Sequence, residues 1–293
     1  MARLEDFGTL MMPEESAEPI LARPVRNALL EWLTEVWAAD ELVKVGLKPR
    51  KRAMFSGAPG TGKTTLAHHL AARLGLPMLA VRPDRIISSY LGETGKKLGS
   101  VFDAANDPNN PIVLFIDEFD SIGLKRKNAS NGAEDERNSS TNTLLQAIDR
   151  HGGFLIAATN FADTIDSAVW RRFDLQITIE LPGQFERERI VERYLAPYVL
   201  PPEGLTALAK AMSSASPDLM RTFCEGIKRQ VIIGPKVGWD MEREAVFSRL
   251  LTTIQPHPDL GRPPLWVNGA KNAAVDLIPW PIPMAEPKTG GAK

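Results

Sequence analysis

The sequence predicts an α/β domain on a parallel sheet covered by helices on both faces, then a small all-α domain and an extended proline-rich tail. Three observations predict it. Short, nearly all-apolar strand segments alternate with helical stretches as far as Pro182; beyond Pro182 only helical spacing recurs; and eight prolines fall between Pro256 and Pro287. Strands buried on both faces read as continuous apolar runs, and strand–helix alternation is the pattern of parallel sheets.

Residues 1–24 are mixed, and Pro13, Pro19 and Pro24 break any long helix, so they read as a linker. From Val25 to Trp37, Leu29, Leu30, Leu33, Val36 and Trp37 recur at helical spacing. Ala53 to Phe55 reads as a short buried strand that ends in a glycine-rich turn. Thr64 to Leu74 follows as a helix, with Leu66, Leu70 and Leu74 on one face. Further strands are expected at Met78–Val81, Ile112–Ile116, Phe154–Ala158 and Leu175–Leu181. The α/β domain therefore spans 25–182. A helical domain over 183–253 includes a helix starting near Pro217, since proline suits a first helical position. Residues 254–293 form the tail. Its Trp266, Ile278, Trp280, Ile282 and Met284 either fold back on the chain or dock a partner, since tryptophans are costly to leave in water.

Composition sets limits. The 293 residues carry 35 basic and 36 acidic side chains, a net charge of −1, which argues against a wholesale nucleic-acid or membrane-surface binder. Cys224, the one cysteine, cannot form an internal disulfide, and no apolar run is long enough for a membrane span. The start carries acids where a leader needs positive charge. A cytoplasmic protein is expected. The histidines His68, His69, His151 and His257 have no metal spacing and are expected in solvent.

Gly57-Ala58-Pro59-Gly60-Thr61-Gly62-Lys63-Thr64 matches the eight-residue phosphate-loop pattern at every fixed position. Its glycines let several backbone N–H groups face one point, and the following helix adds its positive end. These residues and Thr65 are the candidate nucleotide contacts. Lys63 is expected on the β- and γ-phosphates of ATP, and the Thr64 hydroxyl on Mg²⁺. The apolar run Ile112–Ile116 then ends in Asp117 and Glu118. Two carboxylates there are costly unless a cation or solvent awaits them. Asp117 is the candidate holder of Mg²⁺ through its water shell, and Glu118 the candidate base for an attacking water. A base aimed at water separates an ATPase from a kinase, which excludes water.

With these motifs, residues 20 to about 235 resemble the AAA family of the AAA+ ATPases. Asp117-Glu118-Phe119-Asp120 is similar to that family's acidic signature, and Ala158-Thr159-Asn160 to its first sensor, which implies that Asn160 contacts the γ-phosphate or the attacking water. Asp166 to Asp174 resembles the arginine-finger segment of microtubule-severing and membrane-complex-disassembling members. By that likeness Arg171 and Arg172 reach the ATP of a neighbouring subunit in a head-to-tail, hexameric homo-oligomeric ring; the bland alternative is two surface arginines paired with acids such as Asp174. Tyr90, Leu91 and Gly92 resemble a substrate-gripping pore loop, although Tyr90 and Leu91 would also suit packing on the chain's own sheet. Gly123 to Asn142 falls where a second pore loop or a plain surface loop would lie.

The likeness weakens at Ser216-Pro217-Asp218, where relatives carry Gly-Ala-Asp, and Arg221 is either a second sensor or an exposed helix arginine. The resemblance implies an ATPase that unfolds, translocates or disassembles protein substrates through a pore, with a separately encoded adaptor or peptidase as a possible partner. The alternative is a switch or loader that opens a partner without threading it.

Overall fold

The computed structural model describes residues 4–87, 93–125 and 132–285. The chain divides into two compact units. The first comprises Met1–Pro19, Arg23–Gly57 and Gly62–Ile179; the second comprises Ile20–Ala22, Ala58–Thr61 and Glu180–Lys293.

The first unit is a six-stranded sheet: β1 (Thr9–Met11), β2 (Arg52–Ser56), β3 (Met78–Val81), β4 (Val113–Ile116), β5 (Phe154–Thr159) and β6 (Leu175–Thr178). Their spatial order is β1-β3-β4-β5-β2-β6. All pairings are parallel except β1 against β3, where Leu10 faces Leu79 in antiparallel register. The linker expected at the N-terminus thus supplies an edge strand. Three residues are too few for a visible alternation, so only the pairing with β3 reveals it.

The helices of this unit are α1 (Arg23–Trp37), α2 (Ala39–Lys44), α3 (Lys63–Arg73), α4 (Pro83–Ile86), α5 (Glu93–Ala105), α6 (Gly132–Arg150) and α7 (Ser167–Trp170). One core packs Leu98, Val101 and Phe102 of α5 and Leu144 and Ile148 of α6 with Met54, Leu79, Leu114, Ile116 and Leu155 of the strands. Residues of strand parity alternate between faces, so Phe55 and Phe115 are buried out of register with that cluster. Trp32 anchors α1, its indole N–H donating to the Arg50 carbonyl at 2.7 Å. Residues 132–142, expected in a loop, instead form the first turns of α6. Helix-forming Ala, Glu and Arg residues there are carried by the packing of the later turns.

The second unit holds α8 (Gln184–Leu195), α9 (Pro202–Ala211), α10 (Pro217–Ile233), α11 (Arg243–Thr253), α12 (Pro264–Asn268) and α13 (Ala273–Asp276). Pro217 occupies the first turn of α10, and Ser216 caps it by accepting from the Leu219 amide at 3.2 Å. The proline-rich segment folds back on its own unit through short helices. Leu265, Trp266, Val275, Ile278 and Ile282 join Phe223 and Phe247 in one core. Both tail indoles donate to half-buried carbonyls, Trp266 to Ile254 and Trp280 to Met241, each at 2.6 Å. Cys224 lies in the same core, where burial pushes its thiol up to about 12. It is inert.

Two histidines expected in solvent are buried. His68 on α3 donates from Nε2 to the Met12 carbonyl at 2.8 Å, which ties the N-terminal segment to the helix. His151 follows α6, stands edge-on to Phe102 at 5.5 Å and lies 3.4 Å from the Phe154 carbonyl. Burial pulls its pKa below 6.5; the Phe154 carbonyl opposes this, while Arg52 and Lys51 add to it. The unfolded chain therefore binds a proton that the folded chain refuses. Stability from neutral His151 is present above the unfolded value and is lost as pH falls toward the lowered folded one. Between about pH 7 and about pH 5 the thermal midpoint should drop more in the parent than in His151→Phe. Parallel slopes would clear His151 of that role.

Candidate functional site

The sheet order sets the site. β2 lies beside β5, and β5 beside β4, so the carboxyl ends of three neighbouring strands deliver three segments to one edge. These are the loop after Ser56, Asp117 after Ile116, and Asn160 after Thr159.

The loop after β2 turns into α3 through Gly62, whose φ of 92° is costly for any side chain. Lys63 then starts the helix and points back over the loop. Its Nζ donates to the Gly57 carbonyl and to the Asn160 Oδ1, both at 2.7 Å. The side chain is buried. Burial pulls its pKa below the ordinary lysine value, against the opposing pull of Asp117 and Asp120. A buried ammonium at the positive end of a helix, with neutral oxygens among its acceptors, is disposed to accept an anion.

The next residue, Thr64, donates its hydroxyl to Asp117 Oδ2 at 3.0 Å. These side-by-side hard oxygens have the donor chemistry that magnesium takes. Thr65 is exposed. Asp117 Oδ1 accepts the Glu118 amide at 2.9 Å, and Glu118 is exposed with φ 45° and ψ 43°. A glutamate in the left-handed region carries about 1–2 kcal/mol of strain, which favours a purpose beyond packing.

Asp120 has a part that the sequence left undefined. Its Oδ1 accepts the Thr159 hydroxyl at 2.6 Å and the Asn160 amide at 3.3 Å, so the acidic run after β4 fixes the end of β5. Thr159 Oγ1 in turn accepts the Phe161 amide at 2.9 Å. The signal available in the sequence was Asp120's place as the last acid of Asp117–Asp120. Its partners lie 39 and 40 residues away.

The remaining loop residues, 58–61, pack with the second unit. Thr61 is buried, and its hydroxyl donates to the Ala58 carbonyl at 2.9 Å. The Asp218 amide donates to the Gly60 carbonyl at 3.2 Å. A Cβ on Gly60 would meet Ser216 Oγ at 3.0 Å and Asp218 Cβ at 3.1 Å, and φ there is 73°. Pro59 is half-buried. Ser216 and Asp218 thus clasp the loop crown. Arg221 pairs with Asp218 at 2.6 Å on the exposed side of α10.

Arg171 and Arg172 follow α7, which Asp166 caps by accepting the Ala168 amide at 2.8 Å. Arg171 is exposed and donates to the Ser167 carbonyl at 3.1 Å. Arg172 pairs with Asp149 of α6 at 3.3 Å and donates to the Ala168 carbonyl at 3.1 Å. The acid that Arg172 meets is Asp149, not Asp174, whose carboxylate faces the Lys51 amide. Tyr90, Leu91 and Gly92 lie outside the described residues. Among the described residues, no helix is long and apolar enough to cross a membrane.

Residues 53–181 match the family model described as ATPase family associated with various cellular activities (AAA). The uncharacterized AAA family ATPase y4kL of Sinorhizobium fredii is 38% identical over 235 residues, covering 78% of this chain and 68% of that protein. The ATP-dependent zinc metalloprotease FtsH of Borreliella burgdorferi is 35% identical over 210 residues, 69% of this chain; the match spans 33% of that longer protein. The crystal structure of the FIGL-1 AAA domain superposes with a TM-score of 0.66, covering 85% of this chain and 86% of that one at 22% identity, which speaks to the fold alone. Given a phosphate loop, paired acids and likeness over this much of a relative's length, the chain belongs to the AAA family of ATPases.

Proposed function

We propose that this ATPase is a magnesium-dependent, ring-forming motor, hexameric when active, that unfolds, translocates or disassembles protein substrates through a central pore. The observation that carries the proposal is the cluster at the strand ends, where Lys63, Asn160, Thr64 and Asp117 meet beside an exposed Glu118.

In this reading Lys63 and the backbone N–H groups of the loop other than Pro59 bind the β- and γ-phosphates. Thr64 and Asp117 would hold the magnesium ion, which when bound neutralises charge on the phosphate oxygens. Glu118 orients the attacking water and takes its proton. Asn160 is a positioning residue for that water or the γ-phosphate, and Asp120 holds Asn160 in place. Arg171 and Arg172 complete the site of the adjacent copy. Support for the trans role is the exposure of Arg171, the half-exposed position of Arg172 and the weakness of their present partners. An exposed ion pair such as Arg172–Asp149 is worth roughly 0–1 kcal/mol, so exchanging it for a phosphate costs little. Tyr90, Leu91 and Gly92 grip the substrate. Likeness to relatives named ATP-dependent zinc metalloproteases supports a motor that serves proteolysis, with a separately encoded adaptor or peptidase.

Asp120→Ala should lower stability by about 1–3 kcal/mol through the orphaned Thr159 hydroxyl and Asn160 amide. It should also lower kcat more than it raises KM, whereas Asp120→Asn keeps an acceptor and should lose less. Equal kinetics in Asp120→Ala and the parent would detach Asp120 from the site. Glu118→Gln should bind ATP normally and hydrolyse it at least about 10²-fold more slowly; parental turnover would end the assignment of Glu118. Arg172→Ala should forfeit much of the roughly 10³–10⁵ that a finger supplies. Mixing it with Lys63→Ala should restore part of the activity, since each copy lends what the other lacks. Mixed assemblies without rescue would rule out a finger in trans.

A further inference from the structure

The turn that carries Arg171 and Arg172 is held from outside α7 by one exposed side chain. The helix ends at Trp170, and the carbonyls of a helix's last turn need donors from elsewhere. Gln176 on β6 supplies them. Its Nε2 donates to the Phe173 carbonyl at 2.5 Å and to the Trp170 carbonyl at 3.3 Å. These carbonyls bracket the arginines, one on the residue before Arg171 and the other on the residue after Arg172. A primary amide carries two N–H donors on one rigid group, so a single side chain can hold both peptide planes.

The rest of the turn is anchored at its two ends. Before it, Asp166 caps α7 through the Ala168 amide. After it, Phe173 is buried with its ring edge-on to that of Phe119 at 5.5 Å. Between these anchors the arginine side chains reach back to the Ser167 and Ala168 carbonyls and to Asp149. Gln176 stands beside Met54 in the parallel pairing of β6 with β2, yet it is exposed and has no core to fill. An exposed long polar side chain ordinarily stays in water, since ordering it costs rotamer freedom. Here it folds back over 3 and 6 residues onto the arginine turn.

We propose that Gln176 is a positioning residue for the finger arginines: it fixes the peptide planes on either side of them, and so the direction in which their guanidinium groups leave this copy toward a neighbour's phosphate. The inference rests on the trans-finger reading above and adds the group that aims it. A guanidinium lies at the end of a long side chain, so a small rotation of the backbone is magnified at its tip. A misplacement of about 1 Å at a reacting centre can cost about 10²-fold in rate. Gln176 touches no nucleotide in this scheme and acts only through Arg171 and Arg172.

The test uses the full chain carrying Gln176→Met, which keeps the side chain's length and removes both donors. Turnover with Mg-ATP should fall by about 10-fold to 10²-fold, while ATP affinity is unchanged and the thermal midpoint moves by no more than about 4 °C. Gln176→Lys keeps a donor at similar reach and should keep most of the parental rate. Mixing Gln176→Met with Lys63→Ala, whose arginine turn is intact, should restore turnover; mixing it with Arg172→Ala should not, because neither copy then lends a well-placed finger. Parental turnover in Gln176→Met beside a slow Arg172→Ala would overturn the role of Gln176 and leave the finger standing. So would a defect that Lys63→Ala fails to rescue although it rescues Arg172→Ala, since the fault would then lie in the variant's own site. A loss in Gln176→Lys equal to that in Gln176→Met would overturn the hydrogen bonds as the cause. Parental turnover in Arg172→Ala would remove the finger and the part of Gln176 together.

Discussion

A buried lysine ammonium is expensive, and the arrangement around Lys63 is shaped by that cost. Two of its acceptors, the Gly57 carbonyl and the Asn160 amide oxygen, are neutral and offset desolvation only in part. Asp117 and Asp120 supply negative potential without displacing those acceptors, and the pKa of Lys63 still falls below the usual lysine range. A polyanion is a better partner for such a group than any of these, which is what a phosphate-binding lysine requires. The adjacency of β4, β5 and β2 is therefore more than topology. Exchanging the places of two strands would separate Asn160 or Asp117 from the lysine and leave a buried charge without compensation.

The acidic run after β4 divides its work according to geometry. Asp117 shares a hydrogen bond with Thr64, and Asp120 holds the end of β5 through Thr159 and Asn160. Glu118, between them, is left exposed by a strained backbone. Strain of this kind persists only where its surroundings over-determine it. Here they do so on both sides, since the Glu118 amide is held by Asp117 and its carbonyl accepts the Ser121 amide at 2.9 Å.

How much of this was legible in the sequence depended on whether the cause was local. The phosphate loop was readable because glycine freedom and helix polarity act within eight residues, and the strands β2 to β6 were readable as apolar runs. Asp120 and Asp149 were not, because their partners Thr159 and Arg172 lie on other elements. His68 and His151 looked like surface residues until the Met12 and Phe154 carbonyls came beside them. The proline-rich segment reads as extended by composition. Its folding rests on Trp266 and Trp280 reaching carbonyls 12 and 39 residues away, which no local pattern reveals. The helical start of α6 was missed for the same reason, since its stability comes from the buried later turns.

The contacts that hold Arg171 and Arg172 bear on the role proposed for them. Arg171 and Arg172 directly follow α7. If the two arginines serve a neighbour's site, Arg172 must let go of Asp149 at every turnover, so its resting contacts cannot be strong ones. Their present anchors suit that task. A partly exposed carboxylate and two helix-end carbonyls hold them, and such contacts compete only weakly with an anion.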